Sequence, residues 1–305
     1  MVMKIYNNPN LNRKHFNSVI AIGNFDGLHL GHQKVIAEAK RKAKKNKLPF
    51  GLMTFEPVPV MFFKRTNKDH RINSLQQKKT QLEKYKLDFL IIIKFNKNFS
   101  SLTAEEFIKK IIYKNTKCRF LYVSRNFKFG NNRQGKIETL RKYEKELNYK
   151  CIVTKPYKKN NRVISSTLIR KNLRLGNISL VNKLLNRNWC VTGKVIKGSK
   201  RGRKIGFPTC NMALNDYVIP KLGVYSVKVK TNIFNKNGIA NVGYRPTFNG
   251  QSLLLETNIF GINKNLYNKV INVNFKKFIR PEKKFRNLKQ LKKQIKIDIK
   301  KAKKQ

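Results

Sequence analysis

Acidic residues are scarce in this chain. Fifteen Asp and Glu stand against 69 Lys and Arg, giving a formal charge of +54 over 305 residues. Cysteine is scarce too, and Cys118, Cys151, Cys190 and Cys210 form no CxxC pair. That spacing excludes a disulfide frame and a cysteine zinc site, and points to incidental thiols in a reducing compartment. No apolar run approaches the ~18 residues of a membrane helix, and the opening MVMKIYNNPN lacks the apolar core of a signal peptide. The expectation is a cytoplasmic protein with no membrane partner. Also missing is any interleaving of aromatic and basic residues in a recognisable RNA-binding motif. The positive charge admits a nucleic-acid partner. Yet lysine, asparagine and isoleucine abound in every part of the chain, as an AT-rich codon bias would produce. No specific nucleic acid is therefore expected, and the lysines serve as a general attraction for anionic nucleotides. Nothing in the sequence marks an oligomeric state.

What is present is ample apolar content, 40% of residues, in two different arrangements. The first half alternates strand-like runs at 19–22, 50–55, 89–93, 120–123 and 151–153 with helical patterns near 33–47, 74–86, 103–114 and 136–148. Thr103 followed by Glu106 reads as a capping box. Such alternation predicts a parallel sheet covered by helices, with ligands beyond the carboxyl ends of its strands. From Trp189 on, short β-rich runs recur at 190–196, 223–229, 238–242, 253–259 and 270–275, separated by turn residues. These predict a small antiparallel barrel. A lysine-rich helix from Pro281 to about Lys301 closes the chain, and a short helix at 179–185 links the halves. The boundary is expected near Asn186, giving domains 1–186 and 187–305.

Two of the four histidines stand three residues apart in GNFDGLHLGH, Gly23 to His32. An apolar strand precedes the string and a helical pattern follows it. Strand, glycine turn and helix start together favour anions, through free N–H groups and the positive helix end. Gly27 and Gly31 let the backbone approach a phosphate, and His29 and His32 reach it from one side. A plainer reading is a pair of core or capping histidines. HxGH occurs in nucleotidyltransferases and in class I aminoacyl-tRNA synthetases, but no KMSKS-like loop is visible. Instead Ile164 to Arg170 reads ISSTLIR. It sets the hydroxyls of Ser165, Ser166 and Thr167 at a helix start and adds the guanidinium fork of Arg170. Alone it would pass for an ordinary helix cap.

With these strings the chain resembles the bacterial bifunctional riboflavin kinase/FMN adenylyltransferases, also called FAD synthetases. The resemblance runs over nearly the whole length. It includes TFEPVP, LTAEEF and NFKFG in the first half, and GRKIGFPTCN, NVGYRPTF, LETNIF and RPEKKF in the second. It implies a Rossmann-like nucleotidyltransferase sheet followed by a riboflavin-kinase barrel, with ATP, riboflavin, FMN and FAD as small-molecule partners and Mg²⁺ as the metal. In the first module it implies that His29 and His32 hold the triphosphate and that Ser165, Ser166, Thr167 and Arg170 clamp it. Gly23, Asn24, Phe25, Asp26 and Gly31 would shape the nucleotide pocket, with Asn126 close to FMN. Phe127 and Phe129 fit either a flavin contact or a strand-end core. In the second module Gly198, Lys204 and Gly206 would approach phosphate and Thr209 and Asn211 would hold Mg–ATP. Glu256 would accept the riboflavin hydroxyl proton, with Arg280 beside the isoalloxazine.

Some positions depart from the family pattern. Val58 stands where histidine is frequent, Ser124 replaces a glycine, and Cys210 replaces the alanine of PTAN. Gly261, Asn265 and Asn268 lie near the kinase base where aspartate, aspartate and glycine are common. Two competing readings follow: a protein with only one active module, the kinase being degenerate, and a basic nucleic-acid-binding protein on a nucleotidyltransferase fold.

Overall fold

The computed structural model describes residues 3–65, 69–159, 161–198, 201–214, 217–247, 250–262 and 264–304, with the backbone alone at 201, 204, 246, 247, 250 and 251. By compactness the chain divides into two units. One is Met1–Thr66 with Leu75–Ser165; the other is Asn67–Ser74 with Ser166–Gln305.

The first unit is built on six strands: β1 Lys4–Tyr6, β2 Val19–Ile22, β3 Phe50–Glu56, β4 Phe89–Lys94, β5 Phe120–Ser124 and β6 Lys150–Thr154. They pair in parallel in the order β1-β4-β3-β2-β5-β6. The strands read as near-continuous apolar runs because both faces are covered. Val19 and Ala21 point to one face, where they meet Val35, Ile36 and Ala39 of the helix Leu30–Asn46. Ile20 and Ile22 point to the other, packing with Phe107, Ile108, Ile111 and Ile112. From β2 the chain winds outward through β3 and β4, then returns to β5 on the other flank of β2. That reversal makes the carboxyl ends of β2 and β5 a topological switch point, where open α/β sheets receive ligands. A small hairpin, β7 Lys158–Lys159 with β8 Arg162–Val163, follows β6.

The second unit is an antiparallel barrel of β9 Trp189–Lys194, β10 Cys210–Ala213, β11 Gly223–Lys230, β12 Asn235–Thr247, β13 Gly250–Ile259 and β14 Val270–Arg280, in the order β10-β13-β12-β11-β14-β9. An isolated bridge between Ile196 and Asn211 nearly closes it. Val191, Val227, Val229, Leu255, Ile271, Val273 and Phe275 are wholly buried. The helix Leu288–Lys303 packs Ile295, Ile299 and Ala302 against Val224 and Ile239. This unit also takes in 69–74, from the first half of the sequence. The Trp189 indole N–H donates to the Ile72 carbonyl (2.9 Å), the Ile219 N–H to Asp69 (2.6 Å) and the Val218 N–H to the Arg71 carbonyl (2.8 Å).

Expected and observed elements differ at several places. The terminal helix begins at Leu288, not Pro281, because Asn287 caps it by accepting from the Gln290 N–H (3.0 Å). The pattern at 136–148 is helical only over Ile137–Lys142. Strands β1, β7, β8 and β10 escape the periodicity argument, being two to four residues long. The capping box is present, with both Thr103–Glu106 bonds formed. All four cysteines are free, and burial pushes the Cys118 and Cys151 thiols up to about 12. Among the described residues no helix is long and apolar enough to cross a membrane.

Candidate functional site

The GNFDGLHLGH string leaves β2 at the switch point. Phe25, Gly27 and Leu28 take left-handed backbone angles (φ 46°, 85° and 43°), which curl the loop tightly before the helix starts. Successive N–H groups in such a curl form an anion-binding concavity. His29 is the N-cap of Leu30–Asn46: its Nδ1 accepts from the His32 N–H at 3.3 Å. The two imidazoles stack with centroids 3.7 Å apart, and Phe25 meets His32 edge-on at 5.3 Å. Phe25, Asp26 and His29 are buried, while Asn24 is exposed. Gly31 leaves little spare room. A Cβ there would stand 3.1 Å from the His29 ring and 3.3 Å from the Ile164 carbonyl. That neighbour opens ISSTLIR, so the two strings meet inside the first unit at Ile164.

Ser165 lies in the first unit, and the helix Ser166–Arg174 belongs to the second. Thr167 is exposed and Ser165 and Ser166 are half-buried. Arg170 donates from Nε to the His70 carbonyl at 2.8 Å, which fixes its side chain. Asn126 is exposed in the turn after β5, at the same switch point as the histidines. Phe129 is a core residue, 5.0 Å from Phe107, with Phe127 stacked on it.

In the barrel, Asn211 of β10, Glu256 of β13 and Asn241 of β12 stand on one rung. Directly opposed residues share a face. Gly198 brings its backbone so close to Asn211 that a Cβ would collide with the carboxamide, and a Cβ on Gly202 would lie 3.3 Å from the Thr209 hydroxyl. Gly206 turns with φ 88°. The Lys204 side chain lies outside the described residues. Arg203, Thr209, Cys210, Lys264 and Tyr267 line an open cleft of about 480 Å³, part of it solvent. Asn265, at a position of departure, accepts from the Tyr267 N–H (3.0 Å) and shapes that rim, and Gly261 adopts φ 69°.

Sequence reasoning missed three groups. Lys78 is 2% exposed, and its ammonium donates to the Asn24 carbonyl at 2.8 Å and the Thr54 hydroxyl at 3.3 Å. Its signal was a lysine four residues before Leu82 on a buried helix face. Arg245 donates from Nη2 (2.6 Å) and Nε (3.1 Å) to one oxygen of Glu256, and from Nη1 to Glu282 at 3.3 Å. Glu282 also accepts from Asn241 at 3.0 Å. Phe62, Phe63 and Phe95 gather with centroids 5.3–5.8 Å apart where β3 and β4 end, Phe63 being 63% exposed. Arg280, expected beside a flavin, gives its fork to Asp298 of the terminal helix at 2.8–3.1 Å.

Comparison with known proteins divides the chain in two. Residues 11–168 match the family model for FAD synthetase, and residues 185–305 match that for riboflavin kinase. The chain is 40% identical over 300 residues to a bifunctional riboflavin kinase/FMN adenylyltransferase of Buchnera aphidicola subsp. Schizaphis graminum, covering 97% of this chain and 96% of that one. It is 38% identical to the protein of that name from Haemophilus influenzae, covering 96% of each. A Streptococcus pneumoniae crystal structure described as a macrolide-efflux protein superposes with a TM-score of 0.88 at 30% identity, over 99% of both chains.

Proposed function

This chain belongs to the bifunctional riboflavin kinase/FMN adenylyltransferase family, and from that premise we propose how its residues divide the work. The enzyme phosphorylates riboflavin to FMN with ATP, then adenylylates FMN to FAD with release of pyrophosphate. The observation that carries the division is that GNFDGLHLGH and Asn126 meet at the switch point of the first unit, while Thr209 and the Asn211–Glu256 rung belong to the barrel of the second. We assign adenylyl transfer to residues 1–186 and kinase chemistry to 187–305, and place both in the cytoplasm.

In adenylyl transfer the FMN phosphate oxygen attacks the ATP α-phosphorus and pyrophosphate departs. No covalent enzyme intermediate is needed, so catalysis is placement and charge stabilisation. His29 and His32 hold the departing phosphates. The curled loop after Gly23, whose own N–H is taken by the Met53 carbonyl (3.1 Å), presents backbone N–H groups from Asn24 to Asp26, and Gly31 lets a phosphate approach. Ser165, in the same unit, adds its hydroxyl to the anion site, and Ser166, Thr167 and Arg170 of the second unit are the remaining phosphate-binding candidates of the ISSTLIR string. Asn126 positions FMN, and Phe63, exposed beside the half-buried Phe62 and Phe95, offers a flat apolar face to its ring.

In the kinase step the ribityl hydroxyl attacks the γ-phosphorus as Glu256 accepts its proton. Gly198, Lys204 and Gly206 shape the phosphate loop. The family generally uses a divalent metal. Thr209 and Asn211 supply hydroxyl and amide oxygens, hard donors suited to Mg²⁺. Among the described residues no cluster of three His, Cys, Asp or Glu could form a separate metal cage, which fits a metal held jointly with substrate phosphates. Mg²⁺ there would neutralise phosphate charge. Arg280 acts on the flavin site through the terminal helix it anchors. Incubation with riboflavin, ATP and Mg²⁺, followed by chromatography, should show FMN first and FAD after it. FAD formation from supplied FMN without any turnover of riboflavin would remove the kinase assignment.

A further inference from the structure

Lys78 sits on the buried face of the helix Leu75–Glu83, where Leu82 also points inward. A buried ammonium is costly unless its donors are met, and here they are met at a particular peptide. The Asn24 carbonyl accepts from both Lys78 (2.8 Å) and the Thr54 hydroxyl (3.1 Å), and Thr54 is itself wholly buried. In a trans peptide the carbonyl and the following N–H point in opposite directions. Holding the Asn24 oxygen inward therefore turns the Phe25 N–H away from these buried donors. That N–H donates to no acceptor among the described residues, although Phe25 is only 1% exposed. An N–H left open on an anion-binding curl at a helix start can donate to a phosphate oxygen. Phe25 is held in a left-handed conformation (φ 46°) at this point, which the fixed carbonyl helps to maintain.

We propose that Lys78, with Thr54, is a positioning residue for adenylyl transfer: it pins the Asn24–Phe25 peptide so that the Phe25 N–H faces the ATP triphosphate. The inference rests on the placing of the triphosphate at GNFDGLHLGH. Lys78 touches no reacting atom. It acts through one peptide plane, and its charge adds to the field at the loop.

The test measures FAD formation from FMN by Lys78→Met and Thr54→Val in the full chain, with ATP and FMN varied separately. Loss of a hydrogen bond to a charged group is worth about 10- to 100-fold. Lys78→Met should raise the KM for ATP by that factor and leave the KM for FMN unchanged. A merely structural lysine would give less active enzyme, a lower apparent kcat at unchanged KM for ATP, and that result overturns the proposal. Should Lys78→Met fail to fold, Thr54→Val decides. A severalfold rise in KM for ATP supports the proposal, and an unchanged value sinks it. His32→Ala is run alongside. If it leaves FAD formation and the KM for ATP at wild-type values, the placing of the triphosphate has failed. If His32→Ala is impaired and the Lys78 and Thr54 variants are not, only this inference has failed.

Discussion

The GNFDGLHLGH loop and the Asn211–Glu256 rung, for which we propose adenylyl transfer and kinase chemistry, hold their polar groups by opposite means. Around the loop, groups are fixed by burial and by the backbone. His29 is locked as a helix cap, the imidazoles stack, and Lys78 fastens a carbonyl from beneath. On the barrel, groups are fixed by one another. Arg245 and Glu256 are both partly exposed and held in a chain of ion pairs that runs on to Glu282. A backbone-held site is rigid before ligand arrives. An ion-paired site keeps its charges placed yet lets them re-pair when phosphate enters. The anion-binding module therefore depends on fold integrity, and the base-bearing module on charge balance.

The sharpest way to break this contrast is Glu256→Gln, which keeps shape and removes the proton acceptor. General-base assistance contributes about 10²–10⁴ in rate, so FMN production should fall by that factor while FAD formation from FMN persists. Wild-type riboflavin phosphorylation by this variant would show that another group takes the proton.

Arg280→Ala tests the barrel's dependence on charge pairing through stability. Asp298 is 1% exposed, and removing one partner of a buried pair costs about 3–5 kcal/mol. Urea unfolding should register that loss. An unchanged midpoint with a raised KM for riboflavin would instead return Arg280 to the flavin.

On the other side, His32→Ala should lower FAD formation by about 10²–10³, the usual loss of a preorganised contact, with kinase turnover unaltered. His29→Ala should match it and lose about 1 kcal/mol of stability besides, because a cap disappears. Equal stability of the two variants would contradict the capping role.

The smallest effects belong to Asn211→Ala and Arg245→Ala, each expected at about tenfold in the kinase step, the scale of one hydrogen bond to a charged group. Asn211→Ala should show in Mg–ATP dependence and Arg245→Ala in kcat. Guanidinium added to the latter should restore part of the rate; no recovery would argue that Arg245 serves packing alone.

Long elements were legible in the sequence, and so was the strand–turn–helix that carries GNFDGLHLGH. Apolar runs such as 89–93 have only one way to satisfy both backbone and burial, whereas the helix expected at 33–47 starts earlier, at Leu30, because His29 caps it. Strands β1, β7, β8 and β10 were not legible, since two to four residues without a solid apolar run such as that of 19–22 carry no signal. The Pro281 helix start was misplaced because the residues before Asn287 hold Glu282 against Arg245 and Asn241 instead of coiling. Lys78 and Arg245 were hidden by composition: in a chain with 69 basic residues, no single lysine or arginine stands out until burial and partners distinguish it.

The segment 69–74 has a consequence for how this polypeptide is made. It leaves the ribosome well ahead of Ser166, where the rest of its unit begins. At ordinary elongation rates, the roughly 90 residues between them occupy about 5–20 s. Asp69, Arg71 and Ile72 wait longer still, until Ile219, Val218 and Trp189 are synthesised beyond Ser166. The two compact units are interleaved along the message, so no single cut in the gene yields both whole. A fragment beginning at residue 187 would bury the Trp189 indole N–H without its Ile72 acceptor, a penalty of about 1–3 kcal/mol that supplying residues 69–74 as a separate peptide should relieve.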